Sequence, residues 1–114
     1  MPKITNANQL TAYAVKVFRQ AGWFCWRENT TGVWDAGRHA YRKHPGNMPG
    51  KSDVIGFHQT TGRFLACEIK VGADRLRPEQ EAFLQAVQEA GGLALVVRHG
   101  DDLKPYILTN DDHG

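Results

Sequence analysis

Apolar residues recur at three- and four-residue steps near the start of the chain. Leu10, Ala14, Val17, Phe18 and Ala21 share one face of a helix over residues 6–21. Asn6 or Asn8 suits its N-terminal cap, and Gly22 suits the left-handed residue past its last turn. Trp23-Phe24-Cys25-Trp26-Arg27 is rich in aromatics and reads as a strand, with Trp23, Phe24 and Trp26 expected in the core. Residues 52–57 and 63–70 read as two more strands. The polar stretch between them ends in Thr61-Gly62, so the pair is expected to form an antiparallel hairpin. Counting outward from that turn, with Phe57 and Arg63 flanking it, sets Asp53 near residue 67, where it can lie beside Glu68 and Lys70, a bulge being able to shift the register by a residue or two. A second helix starts at Pro78, with Glu79 and Glu81 near the positive end of its dipole. Its expected apolar face is Ala82, Phe83, Ala86, Val87 and Ala90, and Gly91-Gly92 ends it. Leu93 to Val97 is all apolar and is expected to be a strand buried on both faces. One short element is expected around 103–108, and residues 109–114 are expected to fray.

Residues 29–51 break these patterns. Glycines at 32, 37, 46 and 50 and prolines at 45 and 49 alternate with Arg38, His39, Arg42, Lys43, His44 and Lys51, with Trp34 and Tyr41 among them. The stretch reads as a long basic excursion, with a short hairpin around 33–42; a loop of this length in a small domain is commonly functional. The element order is helix, strand, excursion, strand, strand, helix, strand. It predicts an α/β fold: a small mixed sheet flanked by helices, in one domain spanning 1–114.

Composition narrows the class. The chain has 114 residues, 41% hydrophobic and 23% charged, which excludes a disordered, collagen-like or disulfide-stapled chain. The longest apolar run is five residues, against ~20 for a membrane-spanning helix. The first residues lack the apolar stretch of a secretory signal. Cys25 and Cys67 have no paired spacing and are expected to be buried free thiols in a reducing cytoplasm. The net charge of +2 conceals a split: residues 1–51 carry eight basic and two acidic side chains, and residues 52–114 carry six and ten. A basic half points toward a polyanionic partner.

The acidic half supplies candidate chemistry. Glu68 and Lys70 lie two apart on a strand and share a face, with Leu65, Cys67 and Ile69 on the other. Asp53 opens the adjoining strand. Two converging carboxylates suit a hard cation such as magnesium, which also keeps waters and takes substrate phosphate oxygens. Lys70 is placed to orient the attacking water or to stabilise developing negative charge. The alternative is an ordinary structural ion pair.

Three blocks, in order, carry a family resemblance: Gly50-Lys51-Ser52-Asp53-Val54-Ile55-Gly56, residues 62–70 ending in Glu68-Ile69-Lys70, and residues 76–84 containing Pro78-Glu79-Gln80. Together they resemble the VRR-NUC branch of the PD-(D/E)XK nucleases, phage and bacterial replication and repair enzymes related to Holliday junction resolvases. The resemblance implies an αβββαβ restriction-endonuclease-like core and Mg²⁺- or Mn²⁺-dependent cleavage of DNA. It matches Asp53 and Glu68 to metal-binding acids, the Ile69 carbonyl to a backbone ligand, Lys70 to the catalytic lysine and Gln80 to a polar helix residue bordering the site. Members acting on four-way junctions do so as homodimers.

One departure stands out. Many members carry a glutamate on the first helix, whereas residues 5–21 contain no acid. Gln9 is the nearest stand-in, with Asn6 and Asn8 also available, and Glu28 or Asp35 is a candidate to take over. Without one, the domain is expected to bind metal weakly, to need a protein partner or to have lost activity. Lys51, Arg38, Arg42, Lys43 and His44 are expected to contact nucleic acid from the excursion, with Arg75 and Arg77 before the second helix. The spacings of Cys25, Cys67, His39 and His44 match no zinc motif.

Overall fold

The computed structural model describes residues 3–28, 33–42 and 48–107. Helix α1 spans Ala7–Gln20. Asn6 is its cap, its side chain accepting from the Gln9 N–H at 2.9 Å, and the chain turns off beyond Ala21 through Gly22 at φ 97°. Strand β1 is Trp23–Arg27, and the short strands β2 (Val33–Asp35) and β3 (Ala40–Arg42) form a separate antiparallel hairpin within the excursion. Strands β4 (Val54–His58) and β5 (Phe64–Ile69), helix α2 (Pro78–Glu89), strand β6 (Leu93–Val97) and a 3₁₀ helix (Gly100–Tyr106) follow.

The main sheet runs β1-β4-β5-β6. The first three strands are antiparallel neighbours and β6 pairs parallel to β5, with α2 as the crossover. This is the α/β, restriction-endonuclease-like order expected from the chain. Helix α1 and the 3₁₀ helix cover one face, where Leu10, Phe18, Leu65, Val97 and Leu103 are almost wholly buried. Phe18 sits at the centre, edge-on to Trp23 at 6.2 Å and 5.0 Å from Tyr106. On the other face α2 packs against β5 and β6, pressing Leu84 and Val87 onto Ala66. Among the described residues, no helix is long and apolar enough to cross a membrane.

Four local expectations need correction. Helix α2 buries Gln80, Leu84 and Val87, and leaves Ala82, Ala86 and Ala90 exposed. Two large side chains set its rotation, and alanine is too small to compete. Strand β6 is an edge strand, so Leu93 to Val96 are only half-buried. Trp23 is in the core, but Phe24 and Trp26 alternate outward onto the part of the sheet beyond α2 and are 54% and 38% exposed. Phe57 pairs with Phe64 and Val54 with Cys67, which sets Asp53 beside Glu68 as expected, but one residue further along than the count from the turn. The turn closes one residue wider than the count assumed, with His58 N–H donating to the Arg63 carbonyl.

Candidate active site

Asp53 precedes β4 and Glu68 lies near the end of β5, so the register brings both acids to one end of the sheet and one face. The N-terminus of α2 closes over this point, and Met48 to Lys51 form a lip beside it. Between them lies a cleft of about 600 Å³ lined by Asp53, Glu68, Lys70 and Gln80, with Lys51 and Arg77 at its margins.

Each acid is held by a specific partner. Asp53 Oδ2 accepts the Ile69 N–H at 2.8 Å, extending the strand pairing by a side chain, and the Asp53 carbonyl accepts from Glu28 N–H at 2.8 Å. The N–H and C=O of a strand residue point to the same side, so the Ile69 carbonyl also faces the Asp53 side. Glu68 is 1% exposed. Its Oε1 accepts from Gln80 Nε2 at 3.0 Å, while Gln80 Oε1 accepts the Arg77 N–H at 2.9 Å. The second bond orients the amide, because only its oxygen can accept from a backbone N–H. Glu68 Oε2 is buried and unpartnered among the described residues.

Lys70 sits between two acids, its Nζ 3.9 Å from Glu68 Oε1 and 3.8 Å from Asp74 Oδ2. Burial, and after it the adjacent Asp53 carboxylate, pushes Glu68 up to about 8; Lys70 and Arg77 oppose this only in part. Burial also raises the Cys67 thiol behind the site, helped by the nearby acids, so both free cysteines are inert core residues.

A helix-capped pair of acids followed by a lysine, at the end of such a sheet, is the setting in which the family comparison decides the class. A family model for the VRR-NUC domain matches residues 11–100. The chain belongs to the VRR-NUC family. No curated protein and no solved structure matches it. It is therefore a nuclease-type, DNA-processing domain of the PD-(D/E)XK kind.

Proteins of this family usually use divalent metals, and the donors here fit one. Asp53, Glu68 and the Ile69 carbonyl are hard oxygen donors, and the orphaned Glu68 Oε2 lacks the partner that a cation would supply. Among the described residues no third acid, histidine or cysteine joins them. That favours an ion that also takes water and phosphate oxygens over an all-protein cage.

The VRR-NUC cleft does not take in every residue expected there. Gln9 is turned away: its Oε1 accepts from the Thr5 N–H at 2.6 Å and the Thr5 hydroxyl at 2.8 Å, and α1 reaches the cleft through Ala7 instead. Asn6 is used in capping and Asn8 in accepting from Arg27. Glu28 is occupied as well, with Lys51 Nζ on Oε1 at 2.9 Å and Trp26 Nε1 on Oε2 at 2.8 Å. The Lys51 hydrogen bond, then that of Trp26, holds Glu28 below the usual carboxylate range. It therefore acts as the partner that positions Lys51. Arg75 lies outside the cleft lining, as does Arg38, which is exposed in the β2–β3 turn. Lys43 and His44, and the side chains of Asp35 and Arg42, lie outside the described residues. Asp74 lines the cleft without having been expected. Its carbonyl is anchored by Arg98 Nη1 at 2.9 Å, and an acid four residues beyond the lysine was the available signal.

Proposed function

We propose that this VRR-NUC domain, residues 1–114, is a divalent-metal-dependent endonuclease that hydrolyses phosphodiester bonds in branched DNA during replication or repair. In this reading it works as a homodimer on junctions, forks or flaps, in a bacterial cytoplasm or, if phage-encoded, that of the host. Asp53, Glu68 and the Ile69 carbonyl hold Mg²⁺ or Mn²⁺. When bound, the metal polarises the phosphodiester and makes a water more acidic. Gln80 keeps Glu68 turned into the cleft. Lys70 donates to the attacking water or to the phosphoryl oxygen that gains charge. Lys51 and Arg77 meet the flanking phosphates. Among the described residues both α-helices are packed on the sheet rather than free to enter a groove, which favours recognition of DNA shape over sequence.

The observation that carries this reading is the juxtaposition of Asp53 with a Glu68 whose second oxygen is buried without a partner. The test is incubation with branched, forked and linear DNA in Mg²⁺, Mn²⁺ or EDTA, beside Glu68→Gln and Lys70→Ala. Metal-dependent cutting that both substitutions abolish, with binding retained, is expected. Absence of DNA binding at low salt would sink the reading.

One observation favours a second reading. Gln9 faces Thr5 and Glu28 is committed to Lys51, so neither replaces the missing acid of the first helix. A catalytically weak accessory module that binds DNA beside a protein partner would bind in the same assay without cutting under any metal.

A further inference from the structure

The register that joins the two acids also sets an arginine beside Lys70. Strand β6 pairs parallel to β5, with Glu68 next to Val96 and Ile69 next to Val97. The Lys70 N–H then donates to the Val97 carbonyl at 3.0 Å, which carries the ladder one residue further. Neighbouring residues of paired strands project to one face. Arg98 therefore stands beside Lys70, one strand spacing of about 4.8 Å away, on the face that carries Glu68. Across this end of the sheet the order is Lys51 and Asp53 ahead of β4, Glu68 and Lys70 at the end of β5, and Arg98 just past β6.

The Arg98 guanidinium is oriented without being neutralised. Its Nη1 donates to the Asp74 carbonyl at 2.9 Å, which holds the group at the rim of the cleft that Asp74 lines. A carbonyl takes one of its five N–H donors and cancels no charge. The nearby acids have other partners among the described residues. Asp74 Oδ2 lies 3.8 Å from Lys70 Nζ, Asp102 Oδ2 accepts the N–H groups of Arg98 and His99, and Asp101 Oδ1 pairs with Lys104 at 3.4 Å. Arg98 also lines a second depression, of about 270 Å³, together with Thr5, Asn6 and His99. His99 Nδ1 accepts the Asp101 N–H, so the neutral ring carries its proton on Nε2, a further donor on a residue of that wall.

We infer that Arg98 holds a backbone phosphate of the DNA strand on the β6 side of the cleft, across the Asp53–Glu68 site from Lys51. The inference rests on the nuclease reading of the proposed function and adds to it a strand gripped on both sides of the bond to be cut. Such a grip suits an internal phosphodiester, because a terminal nucleotide would leave one of the two cations without a phosphate. A guanidinium can meet two phosphate oxygens with parallel N–H groups, and its bond to the Asp74 carbonyl removes part of its rotational freedom before DNA arrives.

The experiment is fluorescence anisotropy of labelled forked DNA over a salt series in EDTA. It compares wild type with Arg98→Gln, Arg98→Lys and the double variant Lys51→Ala/Arg98→Gln. Glutamine keeps an amide donor for the Asp74 carbonyl but has no charge, and lysine keeps the charge without the fork. Arg98 is exposed, so the variants are expected to melt within a few degrees of wild type. The slope of log affinity against log salt is expected to fall by about one in Arg98→Gln, to hold in Arg98→Lys and to fall by about two in the double variant. Mn²⁺ affinity, measured by calorimetry without DNA, is expected to hold in all of them. A wild-type slope in Arg98→Gln would overturn the phosphate contact, and with a drop in Mn²⁺ affinity it would make Arg98 a brace for the Asp74 turn instead. A double variant that loses only about one would set both cations on a single phosphate and overturn the two-sided grip. Absence of DNA binding by wild type would overturn the nuclease reading itself, before any variant is compared.

Discussion

Gln80 holds Glu68 by one oxygen only. The amide of the first turn of α2 donates to Glu68 Oε1 at 3.0 Å, and the other carboxylate oxygen is left buried without a hydrogen-bond partner among the described residues. The same amide accepts from Arg77 N–H, so the start of the helix sets the direction in which Glu68 points.

Replacing Gln80 by Leu removes that hold. Glu68 Oε1 is then buried without its donor, at a cost of about 1–3 kcal/mol. Loss of an outer hydrogen-bonding partner typically weakens metal binding by about 10–100-fold. Calorimetric titration with Mn²⁺ is expected to show a drop in that range. Gln80→Glu is expected to be worse than Gln80→Leu at alkaline pH, because it sets a further acid against Glu68.

The raised Glu68 gives the metal-free protein a pH dependence of definite sign. An unfolded glutamate titrates near 4.5 and the folded one near 8. Between those values the folded chain binds more protons than the unfolded chain. This residue's stabilising contribution is therefore complete below about 4.5, declines as pH rises and is lost above 8. Glu68→Gln is expected to flatten that slope, so that in EDTA it melts higher than wild type at pH 8. A cation competes with the same proton, so Mn²⁺ affinity is expected to rise with pH up to about 8 in wild type. Equal slopes for the two proteins would contradict the assignment.

Much of this site was legible because strand periodicity is a strict constraint. Glu68 and Lys70 had to share a face once residues 63–70 were a strand, and the polar turn before Arg63 had to bring Asp53 near them. What periodicity could not supply was the exact register, which shifted by one residue at the turn, and the rotation of α2, which Leu84 and Val87 set through packing on Ala66. The outward face of Phe24 and Trp26 was hidden for a related reason. Aromatic residues imply burial only where something covers them, and α2 stops at β5. Gln9 failed as a stand-in because a local bond to Thr5, four residues away, outcompetes reaching the cleft.

Lys51 is predicted to contribute to DNA affinity rather than to the chemical step. Glu28 holds its ammonium at 2.9 Å, and Trp26 holds Glu28 in turn. Lys51→Ala is expected to weaken binding of all DNA shapes alike and to lower the slope of log affinity against log salt by about one. Glu28→Gln leaves the cation in place but slackens its anchor, so it is expected to keep the salt slope while raising the dissociation rate. Fluorescence anisotropy over a salt series distinguishes the two. An unchanged slope for Lys51→Ala would remove the residue from the phosphate contacts.

Asp74 is expected to tune the site from its rim. It lies 3.8 Å from Lys70 Nζ but is well exposed, and its turn is pinned through the backbone by Arg98. Asp74→Asn should leave the fold and the metal affinity unchanged and alter the cleavage rate by less than about tenfold, as an exposed ion pair is worth about 0–1 kcal/mol. Lys70→Ala should abolish cleavage. Equal losses for the two would move Asp74 from the rim into the reacting centre.

The lip of the cleft depends on a glycine. Gly50 has φ 78°, and a Cβ built on it would lie 2.1 Å from the Glu79 carbonyl oxygen and 3.2 Å from Gln80 N. Backbone therefore meets backbone where the Met48–Lys51 segment crosses the first turn of α2, and neither side can yield by a rotamer change. Gly50→Ala must push the lip away from the helix that carries Gln80, and it adds the strain of a left-handed alanine, on the order of 1–3 kcal/mol. The melting temperature is expected to fall by several degrees, and Mn²⁺ affinity to fall with it, because Lys51, Asp53 and the Gln80 amide all lie within three residues of the displaced contact. Gly62, by contrast, has φ 74° but open space around it, so Gly62→Ala carries the strain without the collision. A Gly62→Ala variant that loses stability but keeps Mn²⁺ affinity, beside a Gly50→Ala variant that loses both, would separate the close approach at the cleft from the general cost of a left-handed alanine.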